Sequence, residues 1–436
     1  MPMAPEPPRS FLGYVRAVGP GLVIALAWLG TGDLIDSSVA GANYGYAMLW
    51  VLVIGLLTRF FVVSTLGKYQ LCNRAGDESI LQGYGRIWRG LPLLLGIAGM
   101  FLGFVYASYL ARGAGTALYH LFGELGGDTW GVLIWSCVAV AAAVWLCLRR
   151  NQYTGLERVA QVAVVAIVGA FLVGAFGSGV QPGELVEGLA FELPADKGPV
   201  GALIVLISVI GTVGGSASNL IYPYLMREKG WVGPAYRRLQ TYDLLLGVFA
   251  ILVINTAVWV VAAETLGGRG DVLETESDLA RMMELAVGQA GPVLLWVAIF
   301  FVTFDNLPAY SYGFTRMFID GLHQWLPKRQ ERYGSSGGQA DPLFSRLQIG
   351  VLVVLPLVFA LPHAPDLIVL TVVGNTFAVL TTPVIVFGLI WMTNNKRLML
   401  PGHTNRWWEN VVLLASAAIG CWASYHLVVS VVALFA

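Results

Sequence analysis

Two short polar stretches break otherwise apolar sequence, and their residue types could bind an ion. One is Gly30, Thr31, Gly32 and Asp33; the other runs from Gly211 to Asn219 and reads GTVGGSASN, with ALIVLISVI before it and LIYPYLM after it. Glycine is entropically costly in a helix, and serine competes for backbone hydrogen bonds. Inside a bilayer a broken helix is tolerated only where protein buries it or a polar cavity needs it. Two interrupted spans in corresponding positions of two chain halves mark the binding site of a transporter. In the second stretch, Gly214 and Gly215 let the backbone approach a ligand closely, and Ser216 and Ser218 add hydroxyl donors. A half-helix starting near Ser218 would present free N–H groups and a positive dipole end to a small anion. In the first stretch, Asp33 with backbone carbonyls would hold a hard cation such as Mg²⁺ or Na⁺. Asp36 lies three residues further on, on the same helix face. Asp305 with Asn306 sits in a later apolar run. Acids inside a membrane are functional by default, so Asp33, Asp36 and Asp305 are the coupling-ion candidates.

Each residue also has a structural alternative. The glycines are common packing residues between membrane helices. Asp36 could be bonded to Arg59 or Arg112, and Asp305 to Asn306. Asn375 and Thr381 face the site or act as polar glue between helices.

The elements that would position these residues are membrane helices. The chain has 436 residues, 57% of them hydrophobic and 12% charged, with a mean hydropathy of +0.70. A soluble domain carries roughly 25% charged residues. One integrated membrane bundle, residues 18–436, is expected behind a polar, Pro-rich, disordered tail at 1–17. A span needs about 20 apolar residues, which gives about 11 transmembrane helices near 18–44, 46–70, 91–119, 129–149, 157–177, 199–226, 239–263, 291–317, 346–362, 366–393 and 408–435. The breaks fall in spans one and six. That spacing suits two five-helix inverted repeats, at about 18–177 and 199–393, with an extra helix at about 408–435. Amphipathic segments 76–90 and 276–287 are expected at the membrane surface, and Lys328 to Asp341 as a flexible loop. With the N-terminus cytoplasmic, most of the 26 basic residues fall at cytoplasmic ends, as Lys and Arg do.

Other classes find little support. Net charge is zero, so nothing points to nucleic acid. Cys72, Cys137, Cys147 and Cys421 are scattered and read as core thiols, without a disulfide framework or metal cluster. The five histidines form no metal set or triad. No cofactor and no enzymatic nucleophile–base pair is expected, and a receptor would need an extramembrane domain that the spans leave no room for. Trp88, Trp130 and Trp407 suit interfacial belts.

The order of motifs resembles the Nramp family of proton-coupled divalent metal transporters. GPGLVIALAW opens the first span and AGANYGYAMLWVLVI follows; TNNKRLM ends the tenth. The resemblance covers nearly the whole chain and implies an all-α fold of the LeuT type, with the site between unwound helices 1 and 6. The departures are concerted. The family's Asp-Pro-Gly-Asn is Gly30, Thr31, Gly32 and Asp33 here. Its metal-binding Met aligns with Ser216, the Ala before it with Val213, and its Pro-His pair with Ala217 and Ser218. The third-span acids linked to proton movement align with Ala107 and Leu110, and Thr381 stands where Gln is frequent. The soft sulfur ligand is thus gone, and hard ions take oxygen.

The chain therefore resembles a divergent prokaryotic branch without the metal motif, similar to Nramp-related bicarbonate transporters. A planar anion with three oxygens suits the donors at Gly214, Gly215, Ser216, Ser218 and Asn219, with Gly30, Thr31, Gly32, Asp33 and Thr381 completing the site. Beside an anion, Asp33 must cap its half-helix, bind a co-transported cation (Na⁺ or H⁺) or be protonated. The expected activity is secondary transport of a small inorganic ion by alternating access in the plasma membrane, or the inner membrane of a Gram-negative source. The alternative is a Mg²⁺ transporter.

Overall fold

The computed structural model describes residues 30–123, 125, 127–148, 165, 168–178, 182–214, 216–334 and 338–433. The expected tail at 1–17, the first half of span one and much of span five lie outside the described residues. Described elements are almost all helical. In chain order they are α1 Thr31–Tyr44, α2 Leu49–Cys72, α3 Ile80–Gly85, α4 Leu91–Phe122, α5 Gly127–Leu148, α6 Val168–Gly177, α7 Pro182–Glu187, α8 Ala202–Val213 and α9 Tyr222–Glu228. Then follow α10 Arg237–Thr265, α11 Glu276–Val287, α12 Gly291–Trp325, α13 Pro327–Tyr333, α14 Pro342–Ser345, α15 Leu367–Thr376, α16 Thr382–Asn394 and α17 Trp407–Ala433. Among the described residues, nine helices are long and apolar enough to cross a membrane. They match expected spans two to four and six to eleven. The shortest expected span is present as Pro342–Ala360, but it is wound as a π-helix over Arg346–Val354 and a 3-10 helix over Leu355–Ala360.

Small residues set the closeness of the packing, as they do between membrane helices. The two longest helices, α4 and α12, lie along each other. A Cβ added at Gly96 of α4 would meet the Phe318 backbone at 2.9 Å, and one at Gly321 of α12 would meet the Pro92 carbonyl at 2.3 Å. Around the breaks, α1 packs on α10 and α8, and α8 packs on α15 and α2.

Polar ties close the two ends. At one end Arg112 of α4 lies 3.8 Å from Glu276 and 3.5 Å from Asp366, and donates to the Phe359 carbonyl. Glu276 in turn accepts the first N–H of α15, from Leu367. Arg112 is thus held at the periphery and is not the partner of Asp36. At the opposite end Lys68 pairs with Glu409 at 2.8 Å, and Arg86 grips Asp77 at 2.6 Å.

Several segments differ from expectation. In residues 76–90 only Ile80–Gly85 is helical; Ile80, Leu81 and Tyr84 are fully buried while Arg86, Ile87, Trp88 and Arg89 are exposed, and Asp77 is bonded by Tyr69 and Arg86. The segment 276–287 is a helix, with a Thr275/Asp278 capping box at its start. The loop after Trp325 begins as α13 and ends at a buried Asp341. Asp341 accepts from Arg329 through both oxygens at 2.7 Å, bonds His323 at 3.0 Å, and caps α14 through the Leu343 N–H at 2.9 Å. The doubly bonded Arg329 guanidinium holds this carboxyl well below the usual carboxylate range. Of the four cysteines only Cys72 is buried; Cys137 and Cys421 are exposed on the bare chain, on faces that apolar composition commits to lipid.

Candidate functional site

The half of span one that is described begins at Gly30, whose backbone is extended, and α1 follows at once. Asp33, the third residue of α1, turns back so that its Oδ2 accepts the Gly30 N–H at 2.9 Å. It therefore caps its own half-helix, the first of the three roles the sequence allowed it. Its Oδ1 accepts from Asn255 Nδ2 of α10 at 3.0 Å. Asn255 is fully buried, and among the described residues its Oδ1 meets no hydrogen-bond donor. The same is true of Thr31 Oγ1 in the first turn of α1.

Asp36 lies one turn further on and is 2% exposed. A single oxygen, Oδ2, accepts from Ser208 at 2.8 Å, Thr212 at 2.5 Å and Asn375 at 3.0 Å. Ser208 and Thr212 are four apart on α8, so one face of the first half of span six grips the carboxylate. Oδ1 is buried and without a partner among the described residues. Asn375 of α15 also accepts from the Tyr109 hydroxyl at 3.2 Å. Its position explains two glycines: a Cβ at Gly32 would meet Asn375 Nδ2 at 2.5 Å, and one at Gly211 would meet the Asn375 carbonyl at 2.2 Å. These are close-approach glycines. Among the described residues Gly30 has no such neighbour, the nearest atom to a Cβ there being 3.5 Å away.

Span six is broken. Helix α8 ends at Val213, Gly214 leaves helical geometry, and Ser216 is extended before a 3-10 turn at Ala217–Ile221 leads into α9. Gly215 lies outside the described residues. Ser216 and Ser218 hydroxyls lie 2.5 Å apart. Two expected ligands turn out to hold the break together. Asn219 Nδ2 donates to the Gly214 carbonyl at 3.0 Å, and Thr381 Oγ1 accepts the Ala217 N–H at 3.0 Å. The half-helix thus starts at Ala217 rather than Ser218, and its first N–H is already taken. Thr381 closes a 3-10 turn of its own, Phe377–Thr381, which interrupts span ten between α15 and α16. That third interruption was not expected.

Around the gap between the broken spans stand Tyr106 and Arg59. Tyr106 and Ser216 are buried neighbours at the break, and the buried Arg59 guanidinium is close enough to act through space on Asp33, Tyr106 and Tyr310. The Tyr106 ring lies 5.6 Å from Tyr310 and 5.7 Å from Tyr109. Ala107 and Leu110, aligned with the missing third-span acids, are buried and apolar. Asp305 of α12 is half-buried, and the hydrogen bonds that fix Asp33 and Asp36 are made by other residues. Sequence reasoning missed Asn255, Tyr106 and Tyr109. A signal for the first existed: it is the one amide in the run VFAILVINTAVW.

A broken span six, packed with the half-helix that begins at Thr31 around buried acids, and nine long apolar helices among the described residues define a polytopic fold of the LeuT type. Solved structures agree on the fold. The Eremococcus coleocola manganese transporter aligns over 96% of this chain and 87% of its own, with a TM-score of 0.67 at 16% identity. MhsT in complex with L-phenylalanine aligns over 98% and 99%, with a TM-score of 0.57 at 16% identity. The family description "natural resistance-associated macrophage protein-like" matches residues 21–430, and the chain belongs to this Nramp family. Curated relatives include metal transporter Nramp1 of Oryza sativa, 27% identical over 45% of this chain and 37% of that protein. The divalent metal cation transporter MntH of Bacillus subtilis is 25% identical over 58% and 59%, and that of Mycobacterium tuberculosis 27% identical over 71% of each. The match spans 10% of a Populus trichocarpa Nramp6.2 protein, so it covers well under two thirds of several relatives.

Proposed function

We propose that the protein is a secondary transporter that carries a small inorganic ion by alternating access, taking up bicarbonate together with a cation. The observation that carries this reading is the donor set at the span-six break. The hydroxyls of Ser216, Ser218 and Tyr106 gather there, within the field of the buried Arg59 guanidinium. A guanidinium is planar and always charged, and it matches carboxylate-like oxyanions. A divalent metal is poorly served beside it. Bringing an anion into a negative interior costs about 2.3 kcal/mol per 100 mV, so a cation must travel with it, and Asp36, with one oxygen unmet among the described residues, is the acid available to hold it. Spans one and six would rock with their partners against the rest of the bundle, in a plasma membrane with the N-terminus cytoplasmic.

A second reading, a hard divalent cation such as Mg²⁺, is favoured by the two buried acids and by relatives named as divalent metal cation transporters. Softer metals lack their sulfur ligand in either case. Uptake into proteoliposomes separates the readings. Labelled bicarbonate should enter, Mn²⁺ should not, and Ser216→Leu should abolish uptake while the purified protein stays monodisperse. Mg²⁺ uptake without bicarbonate uptake would establish the second reading, and vigorous Mn²⁺ uptake would refute both.

A further inference from the structure

We propose that the end of the bundle where α2 stops and α10 and α17 begin binds the phosphate of an anionic phospholipid. Three chain segments meet there. Residues 64–74, 236–240 and 394–409 together hold seven Lys and Arg and a single acid, Glu409. The last turns of α2 gather them. Ser64 of α2 accepts from Arg237 at its carbonyl, at 2.7 Å, and at its hydroxyl, at 2.9 Å. Lys68, one turn further along the same face, pairs with Glu409 in the first turn of α17. Just past α2, the Leu400 N–H donates to the Cys72 carbonyl at 2.9 Å, and the Arg74 N–H to the Leu398 carbonyl at 2.6 Å. These bonds seat the turn that carries Lys396 and Arg397 beside Arg74.

The one acid does not balance the cations. Glu409 Oε1 takes Lys68 at 2.8 Å, and Oε2 takes the backbone N–H of Arg406 at 2.6 Å. Arg237 is close enough to act through space on both Lys68 and Glu409, so two cations share one carboxylate. Its own hydrogen bonds go only to neutral oxygens, of Ser64 and Gln240. Arg74, Arg238, Lys396, Arg397 and Arg406 are exposed, and among the described residues none of their side chains is in an ion pair. Helix α10 also starts without a side-chain cap, which adds its positive end to the field. Lys and Arg clustered at the end of a membrane helix attract anionic lipid headgroups, and guanidinium forks match phosphate oxygens. The surroundings select a lipid over a soluble anion. Trp407 and Trp408, exposed beside Arg406, are the residue type that sits at headgroup level. Val411 and Leu414, exposed further along α17, offer an apolar face to the acyl chains, for which a soluble anion has no use. This end is also the one expected to face the cytoplasm, whose leaflet carries the anionic lipid.

The inference is independent of which ion is carried, so its test needs no transport. Purified full-length protein in detergent is titrated with phosphatidylglycerol or with phosphatidylcholine of the same chain length, and bound lipid is read by native mass spectrometry. Phosphatidylglycerol should bind about tenfold or more tighter than phosphatidylcholine. The double variant R238Q/R406Q removes two exposed cations and should lower the affinity for phosphatidylglycerol about tenfold or more, leaving phosphatidylcholine unaffected. K328Q/R332Q makes the same change in charge on exposed residues of α13 and should leave phosphatidylglycerol binding as in the wild type. Excess glycerol 1-phosphate should not displace the lipid. Equal affinity for the two lipids, unchanged binding in R238Q/R406Q, or an equal loss in K328Q/R332Q would each overturn the site. Displacement by glycerol 1-phosphate would also overturn it, in favour of a soluble anion.

Discussion

Asp36 and Asp341 are both buried carboxylates, each 2% exposed, yet they are satisfied in opposite ways. Asp341 accepts through both oxygens, from Arg329, His323 and the Leu343 N–H. Asp36 takes three donors on one oxygen and leaves the other bare among the described residues. A saturated carboxylate has no capacity left and serves the fold. A half-satisfied one stores an unmet acceptor, at a cost of about 1–3 kcal/mol, and such a cost is retained where an arriving ion or proton relieves it. Saturation of hydrogen bonding thus separates structural acids from candidate transport acids better than burial does.

The sharpest way to break the comparison is to make the same change at both places. In Asp36→Asn the amide oxygen can occupy the place of Oδ2 and its NH₂ the bare place of Oδ1. Thermal stability should stay within about 1 kcal/mol of wild type, while uptake falls at least tenfold. In Asp341→Asn an NH₂ must face a guanidinium or a backbone N–H, so one side of the knot is lost. Stability should fall by about 2–3 kcal/mol, seen as a lower unfolding temperature, with uptake per folded molecule unchanged. Equal effects at the two positions would dissolve the distinction.

A smaller effect comes from pH. The Asp341 carboxyl is held below the ordinary range, so its stabilising contribution is fully present above the unfolded value of about 3.9. It is lost only as pH falls through the lower folded value. The difference in unfolding temperature between wild type and Asp341→Asn should therefore be flat from pH 8 to about 5 and shrink below about 4. A difference that already shrinks near pH 6 would mean that Arg329 does not hold the Asp341 carboxyl down.

Thr381→Val should have the smallest effect. It removes the acceptor of the Ala217 N–H and should cost about 1 kcal/mol, as loss of a cap does. Thr381→Ser should restore the wild-type unfolding temperature. If Thr381→Val abolished uptake at unchanged stability, Thr381 would have to be counted among ion ligands rather than among the residues that hold the break.

The span-six break and the acids were legible in the sequence because glycine and serine weaken a helix and aspartate resists burial, so all three stand out in an apolar run. The capping of Gly30 by Asp33 was likewise within reach, since a first-turn acid is a common helix start. What the sequence hid were the partners. Asn255, Asn375 and Tyr109 meet α1 and one another across separations above 200 residues, and no periodicity reports which polar side chain faces which. The span-ten interruption had a readable cue in Pro383, which has no N–H to donate to the carbonyl four residues back. It was masked by the apolar composition of Phe377–Leu380.

Asn375 also constrains how the molecule can move. Its side chain and carbonyl are pressed against Gly32 of α1 and Gly211 of α8 at distances that exclude even a methyl group, and its amide is bonded to Asp36. One side chain of span ten is therefore gripped from both sides by the two interrupted helices. Neither can swing outward on its own without dragging span ten along or opening a void around a buried amide. Movement of either helix at this level is therefore expected to disturb the other two, and a substitution that loosens the grip is expected to leak before it unfolds.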